Sequence, residues 1–473
     1  MKKQASNYRN VSENPCNMCM PLGGILAFKG IEGSMTVLHG SQGCATYMRR
    51  TISEHYEEPV DVASSSLNEK GTVFGGEDNL KKALENVRLI YNPQIIGVLT
   101  TCLAETIGED IGRITSRYLQ GQEITGLPII NVPTPGYGGS HSEGYWLTVY
   151  RIVCFLAEKT AKHNKVNVIV PHISTADLRE IKRLLAAMGI DYTLLPDYTD
   201  TLDAPYSKPY QKSPAGGTKI EEIRKMSGAR ATLEMGITID DAQSAGKYLR
   251  DEFGVPLFRV PLPVGIENTD LFFSTLKEIA NYGTESAGMK SSGTDLPEEI
   301  KKARGRLLDG MFDSHKHNFE GQAVIFGEPE QVYAVTKLCL ENGIKPAIMA
   351  TGSRTKKIEQ ILQQEFDKLS DFDSEYSILG DTDFSHILEQ CKNRKINIAI
   401  GHSEGKILTE RAEIPLVRFG FPVIDRVGGQ RILSVGYEGS LRFLDRITNT
   451  LLENKYKNYR ANMFALFYEA KVR

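Results

Sequence analysis

Short β-rich runs alternate with helical stretches along most of this 473-residue chain, and this alternation limits the possible folds more than any other feature. Several of the runs end just before a helical stretch. The strand candidates include 95–101, 128–134, 166–171, 192–196, 231–236, 323–327, 345–351 and 397–402. Apolar strands separated by helices favour parallel sheets with right-handed crossovers. The chain is therefore predicted to have an α/β fold.

Two of the intervening helices have clear ends in the sequence. The stretches 175–189 and 329–343 each finish on a glycine, Gly189 and Gly343. Glycine suits the position after a helix because it adopts the left-handed conformation easily. Both stretches are predicted to be helices that follow strands.

The pattern of strands and helices restarts twice, and 473 residues are too many for one compact core. We predict an N-terminal α/β domain (1–160), a second α/β domain (161–300) and a third with C-terminal helices (301–473). The stretch 282–300 is rich in Gly, Ser and Thr and marks a boundary. Ligands of open parallel sheets bind beyond the carboxyl ends of strands, which directs attention to the loops near 100–105 and 132–141.

Charge and hydropathy exclude several classes of function. A net charge of −3 gives no basic surface for nucleic acid or an anionic membrane. No apolar stretch follows the basic pair Lys2–Lys3, as a signal peptide would require, and no apolar run approaches the ~20 residues that span a bilayer. A cytoplasmic protein without nucleic-acid or membrane partners is expected.

Seven cysteines in such a chain do not indicate a disulfide framework, because the cytoplasm keeps thiols reduced. Cys154, Cys339 and Cys391 lie in helical, largely apolar stretches and are predicted to pack as small hydrophobic side chains. The other four all lie in the first quarter of the chain.

Three of those four cysteines lie in loops beside small residues. Cys19 precedes M-P-L-G-G, Cys44 follows Gly43, and Cys102 follows two threonines at the end of a predicted strand. A thiolate bound to iron needs such surroundings, because glycines allow close approach to an inorganic core and free N–H groups can donate to its sulfides.

The residues alone leave other kinds of cysteine site open. Cys16 and Cys19 form C-x-x-C, which also occurs in redox pairs and zinc sites, although no second C-x-x-C and no preceding strand support either.

Longer motifs carry a family resemblance that covers nearly the whole chain. In chain order they are M-P-L-G-G-I-L-A-F-K-G-I, H-G-S-Q-G-C-A-T-Y, E-P-V-D-V-A-S-S-S-L-N-E-K-G-T-V-F-G-G, T-T-C-L-A-E-T-I-G-E-D, P-T-P-G-Y-G-G-S-H, A-G-G-T-K-I-E-E-I, P-L-P-V-G-I-E-N-T-D and F-G-F-P-V-I-D-R-V-G-G-Q-R. Together these motifs resemble the β-type subunits of the nitrogenase component 1 family.

The resemblance implies three Rossmann-like domains with parallel sheets flanked by helices, and a homologous α-type partner in an α2β2 heterotetramer. It implies an iron–sulfur cluster at the interface of the two chains, with Cys19, Cys44 and Cys102 as this chain's ligands. Cys16 has no family counterpart and is interpreted as a spare thiol. An ATP-dependent iron protein is the expected reductase, since this chain has neither a Walker lysine nor a G-x-G-x-x-G after a strand.

Within the family, the sequence favours the assembly scaffold for the iron–molybdenum cofactor. Its A-T-Y-M-R-R and F-K-G-I-E-G-S-M segments and short N-terminal lead are similar to scaffold β-type chains.

The alternative is the β subunit of a catalytic nitrogenase or nitrogenase-like reductase, such as a methylthio-alkane reductase. Three cysteines suit its eight-iron P-cluster, whereas the scaffold's four-iron cluster often uses only the middle one. Gly136 replaces the catalytic subunit's serine ligand, so redox-linked serine ligation is not expected. A metal-free binding module is the outside alternative.

Other polar residues are predicted to have structural roles. His39 should brace its loop through a hydrogen bond, and Ser140 and His141 should pack near the cluster. The acidic residues after Cys102 should cap or flank a helix: Glu105, Glu109 and Asp110. His315 and His317 lack a third ligand nearby and are expected on a solvated helix.

Overall fold

The computed structural model describes residues 18–209, 214–282, 296–369, 375–457 and 459–467. Its strands form three parallel sheets with helices on their faces, as the sequence predicts. The predicted α/β fold with three Rossmann-like sheets is confirmed. The domain bounds stay predictions, and much of the boundary stretch 282–300 lies outside the described residues, as does Cys16.

The first sheet has the order β2-β1-β3-β4. Its strands are β1 (Ser34–His39), β2 (Ala63–Ser64), β3 (Ile95–Thr100) and β4 (Ile129–Val132). Its helices are α1 (Met20–Lys29), α2 (Gln42–Tyr56), α3 (Glu69–Phe74), α4 (Glu77–Tyr91), α5 (Cys102–Thr106), α6 (Ile111–Gly121) and α7 (His141–Leu156). β1 and β3 are buried along almost their whole length, so they occupy the centre of the domain.

The second sheet has the order β6-β5-β7-β8. Its strands are β5 (Val166–Ile169), β6 (Tyr192–Leu195), β7 (Ala231–Glu234) and β8 (Leu257–Arg259). Its helices are α8 (Thr175–Ala187), α9 (Ile220–Arg224), α10 (Ala245–Phe253) and α11 (Ile266–Asn281). Short 3-10 helices cover Lys225–Gly228 and Asp241–Gln243.

The third sheet has the order β11-β10-β9-β12-β13. Its strands are β9 (Gln322–Phe326), β10 (Lys345–Ala350), β11 (Ser377–Leu379), β12 (Ile398–Gly401) and β13 (Leu416–Arg418). Its helices are α12 (Glu298–Asn318), α13 (Pro329–Glu341), α14 (Lys357–Asp367), α15 (Phe384–Cys391), α16 (Lys406–Ala412), α17 (Gly436–Tyr456) and α18 (Tyr459–Phe467). Short 3-10 helices cover Ser403–Gly405 and Gly429–Arg431.

The helix ends agree with the sequence analysis. Gly189 and Gly343 each lie two residues after the end of a helix, α8 and α13 respectively. Both have a positive φ, 66° and 76°, a conformation that glycine adopts without strain. Among the described helices, none is both long and apolar enough to cross a membrane. One continuous apolar cluster joins side chains from all three sheets, for example Leu99, Leu233 and Ile325.

The crossing of α1 and α7 fixes the beginning of the described chain against the first sheet. A Cβ on Gly23 would lie 1.7 Å from the carbonyl oxygen of His141, and one on Gly144 would lie 2.0 Å from that of Met20. Both positions therefore require glycine, because any side chain would force the helices apart. This close contact holds the residue before α1, Cys19, beside Ser140 at the start of α7.

Candidate metal centre

Three cysteines lie at the beginnings of three helices of the first domain. Cys19 is the residue before α1, Cys44 lies in the first turn of α2, and Cys102 is the first residue of α5. The side chains of Cys19 and Cys102 are exposed and that of Cys44 is half-buried. We call these three residues the cysteine face.

Gly136 lies where two of the sulfurs converge. Its backbone N–H donates to the Sγ of Cys102 at 3.1 Å. A Cβ at this position would lie 3.3 Å from the Sγ of Cys102 and 3.5 Å from that of Cys19. The loop after β4 thus gives both sulfurs room and provides an N–H donor, as metal-bound thiolates require.

The charges of the three thiols influence one another. Burial raises the pKa of the Cys19 thiol, and negative charge on Cys102 and Cys44 raises it further. A cation beside Cys19 would oppose this rise in its pKa. In the described part of the chain, no three His, Cys, Asp or Glu side chains are close enough to hold one metal ion together.

Two hydroxyl groups near the cysteine face lie close to sulfur atoms. The hydroxyl of Ser41 lies 3.6 Å from the Sγ of Cys44, and the hydroxyl of Tyr47 lies 3.0 Å from the Sδ of Met18. Burial raises the pKa of Tyr47, and the neighbouring charge of Cys19 raises it further. Tyr47 therefore stays a neutral donor at the edge of the site.

His39 braces the loop that leads to Cys44, as predicted. Its Nδ1 lies 2.9 Å from the hydroxyl of Ser65, which also accepts the backbone N–H of Gly40 at 3.0 Å. Burial lowers the pKa of His39, although Glu109, 3.7 Å from its Nε2, opposes this shift. Glu109 also accepts the N–H of Gly76 at 2.5 Å.

The helix expected after Cys102 is divided into two, α5 and α6. Glu105 lies in the first turn of α5, and Asp110 caps α6 by accepting the N–H of Arg113 at 2.9 Å. The predicted capping role is therefore confirmed for Asp110. Glu109, which lies just before α6, instead accepts the N–H of Gly76, the residue before α4. The sequence did not reveal this contact.

Ser140 and His141 pack beneath the cysteine face, as predicted. Ser140 pairs with Cys19 through a β-bridge, and its hydroxyl lies 2.7 Å from that of Ser353. The Nε2 of His141 lies 2.8 Å from the carboxylate of Glu328, and both side chains are buried. Burial alone would raise the pKa of Glu328, but His141 holds it below its usual value. Sequence reasoning missed Glu328, because nothing local relates residues so far apart in the chain.

The other predicted residues lie away from this site. Cys339 and Cys391 are buried and Cys154 is half-buried, all within helices of the described chain, and we call them the helix cysteines. Burial raises the pKa of all three, and that of Cys391 to about 11. His315 and His317 lie on α12 with His315 exposed, consistent with a solvated helix.

Comparison with known proteins gives one consistent result. Residues 19–452 match the family model described as nitrogenase component 1 type oxidoreductase. The chain is 35% identical to the nitrogenase molybdenum-iron protein beta chain of Clostridium pasteurianum, over 93% of each chain. It is 33% identical to that of Frankia alni, over 96% of this chain and 85% of the relative, and 32% identical to that of Methanococcus maripaludis, over 94% and 95%.

Solved structures agree with these relatives. One titled "Nitrogenase Cp1 at pH 6.5" superposes with a TM-score of 0.87 at 34% identity, covering 96% of both chains. A second, "Nitrogenase Cp1 at pH 5", gives a TM-score of 0.66 at 15% identity and reflects the shared fold alone.

Proposed function

The chain belongs to the nitrogenase component 1 type oxidoreductase family, with the molybdenum-iron protein beta chains among its relatives, and from this premise we propose that it holds an iron–sulfur cluster through Cys19, Cys44 and Cys102. The observation that carries the proposal is the convergence of the Cys19 and Cys102 sulfurs on Gly136. A bound iron–sulfur cluster would supply one-electron redox chemistry at this position.

This chain's own residues prepare the site for such a group. Cys19, Cys44 and Cys102 each lie at the beginning of a helix, and the N–H of Gly136 donates to the sulfur of Cys102. Beneath them, the buried pair of His141 and Glu328 ties α7 to α13 and keeps the loop of Ser140 in place. These contacts set the ligand positions before any metal binds, which lowers the reorganisation needed on binding.

We propose that a homologous α-type chain covers the cysteine face in an α2β2 heterotetramer and supplies the remaining ligands. The exposure of Cys19 and Cys102 supports this arrangement, because a cluster held there by one chain alone would face water. An ATP-dependent iron protein is the proposed electron donor, and the cytoplasm, where thiols stay reduced, is the proposed location.

The α-type partner can be tested by expressing the chain alone and with its partner. Without the partner, the chain should self-associate or aggregate through the cysteine face, whereas coexpression should give a defined heterotetramer in size-exclusion chromatography with light scattering. A monodisperse monomer that carries a complete cluster would contradict the shared interface.

For the specific role, we propose the assembly scaffold for the iron–molybdenum cofactor. Support comes from the segment after Cys44, A-T-Y-M-R-R, and from Gly136, which leaves no side-chain oxygen beside the two sulfurs. A ligand set without such an oxygen does not change with oxidation state, and this constancy suits a scaffold.

A second candidate is the β subunit of a catalytic nitrogenase or nitrogenase-like reductase. It is favoured by the grouping of all three cysteines at one face and by the beta-chain names of the relatives. An eight-iron cluster shared by two chains needs about three thiolates from each chain, whereas a four-iron cluster has four iron corners. The two roles therefore differ in how many cysteines of this chain must reach the metal.

Separate Cys19→Ser and Cys102→Ser variants in the heterotetramer distinguish the two roles. Unchanged iron content and an unchanged EPR spectrum of the reduced state would support a four-iron scaffold that relies on Cys44. Loss of iron and signal in each variant would support an eight-iron relay and overturn the scaffold. Cys154→Ser is the matched control, since Cys154 lies in the last turn of α7, at the end opposite Ser140 and the cysteine face.

A further inference from the structure

A second concave site lies where the loop 351–357 leaves β10, and we call this loop the basic loop. The cavity has a volume of about 450 Å³ and is formed by α7, the segment after β7 and the basic loop. Cavities of roughly 300–1,000 Å³ are typical of small-molecule sites. This one lies beyond the carboxyl ends of β7 and β10, which is where open parallel sheets bind ligands.

The walls of the cavity differ in character. Trp146, Ile239 and Pro329 contribute apolar side chains to the lining. The basic loop contributes three cations, Arg354, Lys356 and Lys357. Such a lining suits a ligand with a carbon skeleton and a negatively charged group.

The cations are not equally neutralised. The Nζ of Lys357 lies 2.9 Å from the carboxylate of Asp241. Lys356 makes no ion pair with any residue that the structure describes. Arg354 has Asp381 3.8 Å from its Nε, a separation at which two exposed side chains interact only weakly.

The two carboxylates of the lining already accept backbone N–H groups. Glu143 accepts those of Ser140 at 2.5 Å and Arg354 at 3.0 Å. Asp240 accepts that of Ala242 at 3.0 Å. Since neither carboxylate pairs with Lys356, positive charge remains available to a ligand.

We propose that this cavity binds a small organic anion, a carbon skeleton that carries a carboxylate or a phosphate, with Lys356 and Arg354 as its charged contacts. Arg354 also donates from its Nη1 to the carbonyl oxygen of Tyr137 at 3.0 Å. Tyr137 follows Gly136, so a ligand that orders Arg354 also orders the loop of the cysteine face. The binding itself does not depend on the proposed cluster.

Isothermal titration calorimetry on the full chain, together with its α-type partner if the two copurify, tests the proposal. Citrate is the carboxylate probe and glycerol 3-phosphate the phosphate probe. Saturable binding of either supports the site and assigns its chemical class. Lys356→Gln and Arg354→Gln should each weaken binding about tenfold, as expected for the loss of one charge-assisted hydrogen bond.

Lys345→Gln is the matched control, because Lys345 is an exposed lysine at the opposite end of β10. It should bind the probe like the unaltered protein. No saturable binding of either probe, or equal weakening by Lys345→Gln, would overturn the proposal. Because Lys356 is exposed and makes no ion pair, its variant should fold, and an unchanged thermal unfolding temperature verifies this.

Discussion

The cysteine face and the helix cysteines contain the same side chain in opposite environments. Cys19 precedes a helix, whereas Cys44 and Cys102 lie in the first turns of helices and not in loops as the sequence predicted. At least part of each of the three side chains is accessible. Cys339 and Cys391 lie within or at the end of helices and are buried, and burial raises the pKa of both thiols. Position at the beginning of a helix, rather than residue type, therefore separates a candidate ligand from a packing residue.

The largest expected effect is a difference in iron content between variants of the cysteine face and variants of the helix cysteines. Cys44→Ala should remove most or all iron from the complex, because a methyl group cannot replace a thiolate–iron bond. Cys391→Ala should leave iron content unchanged. Iron and acid-labile sulfide analysis of anaerobically purified protein measures both, and equal losses in the two variants would mean that the ligand set is wrong.

Thiol labelling of the metal-free protein tests the difference in accessibility between the cysteine face and the helix cysteines. Cys19 and Cys102 should react with a disulfide reagent faster than Cys339 by on the order of tenfold or more, because a buried thiol reacts only after local opening. Peptide mapping after a timed reaction at pH 8 gives the rate at each position. The comparison would fail if Cys339 were labelled as quickly as Cys102.

A smaller effect is expected from filling the space beside the two sulfurs. Gly136→Ala places a methyl group 3.3 Å from the sulfur of Cys102, so that sulfur must shift by a few tenths of an ångström, whereas the 3.5 Å to the sulfur of Cys19 is ordinary contact. We expect a partial loss of iron and a changed EPR line shape. Gly121→Ala is the control, since a Cβ there meets nothing within 4 Å. A normal spectrum for Gly136→Ala would show that the sulfurs do not converge in the complex.

The smallest effect concerns the stability of a helix cysteine. Cys339→Ala removes a fully buried sulfur from the core and should lower the free energy of unfolding by about 1 kcal/mol. Iron content should not change. Chemical denaturation measures the difference, and a loss of iron without a loss of stability would contradict the packing role.

Much of the fold could be predicted from the sequence, because its longer strands have an apolar pattern that few other structures share. The eight strand candidates all correspond to strands. β2, β8, β11 and β13 were not predicted, since runs of two or three residues are too short for a periodic pattern. β1 was missed for another reason: its polar residues, Ser34 and Thr36, interrupt the apolar run although the strand is central and buried.

The candidate site was predictable only in part. The three cysteines could be named from their motifs, and the loop glycines indicated close packing. Their convergence on Gly136 depends on how the loop after β4 folds back, and the buried pair of His141 and Glu328 joins distant parts of the chain. Such contacts arise from tertiary packing, which leaves no local signal in one sequence.

The most direct test of the central claim is an iron anomalous-difference map from anaerobic crystals of the chain with its α-type partner. We expect anomalous density at the interface of the two chains, within bonding distance of the sulfur of Cys44. Absence of iron density at the cysteine face, or density beside other residues instead, would contradict it.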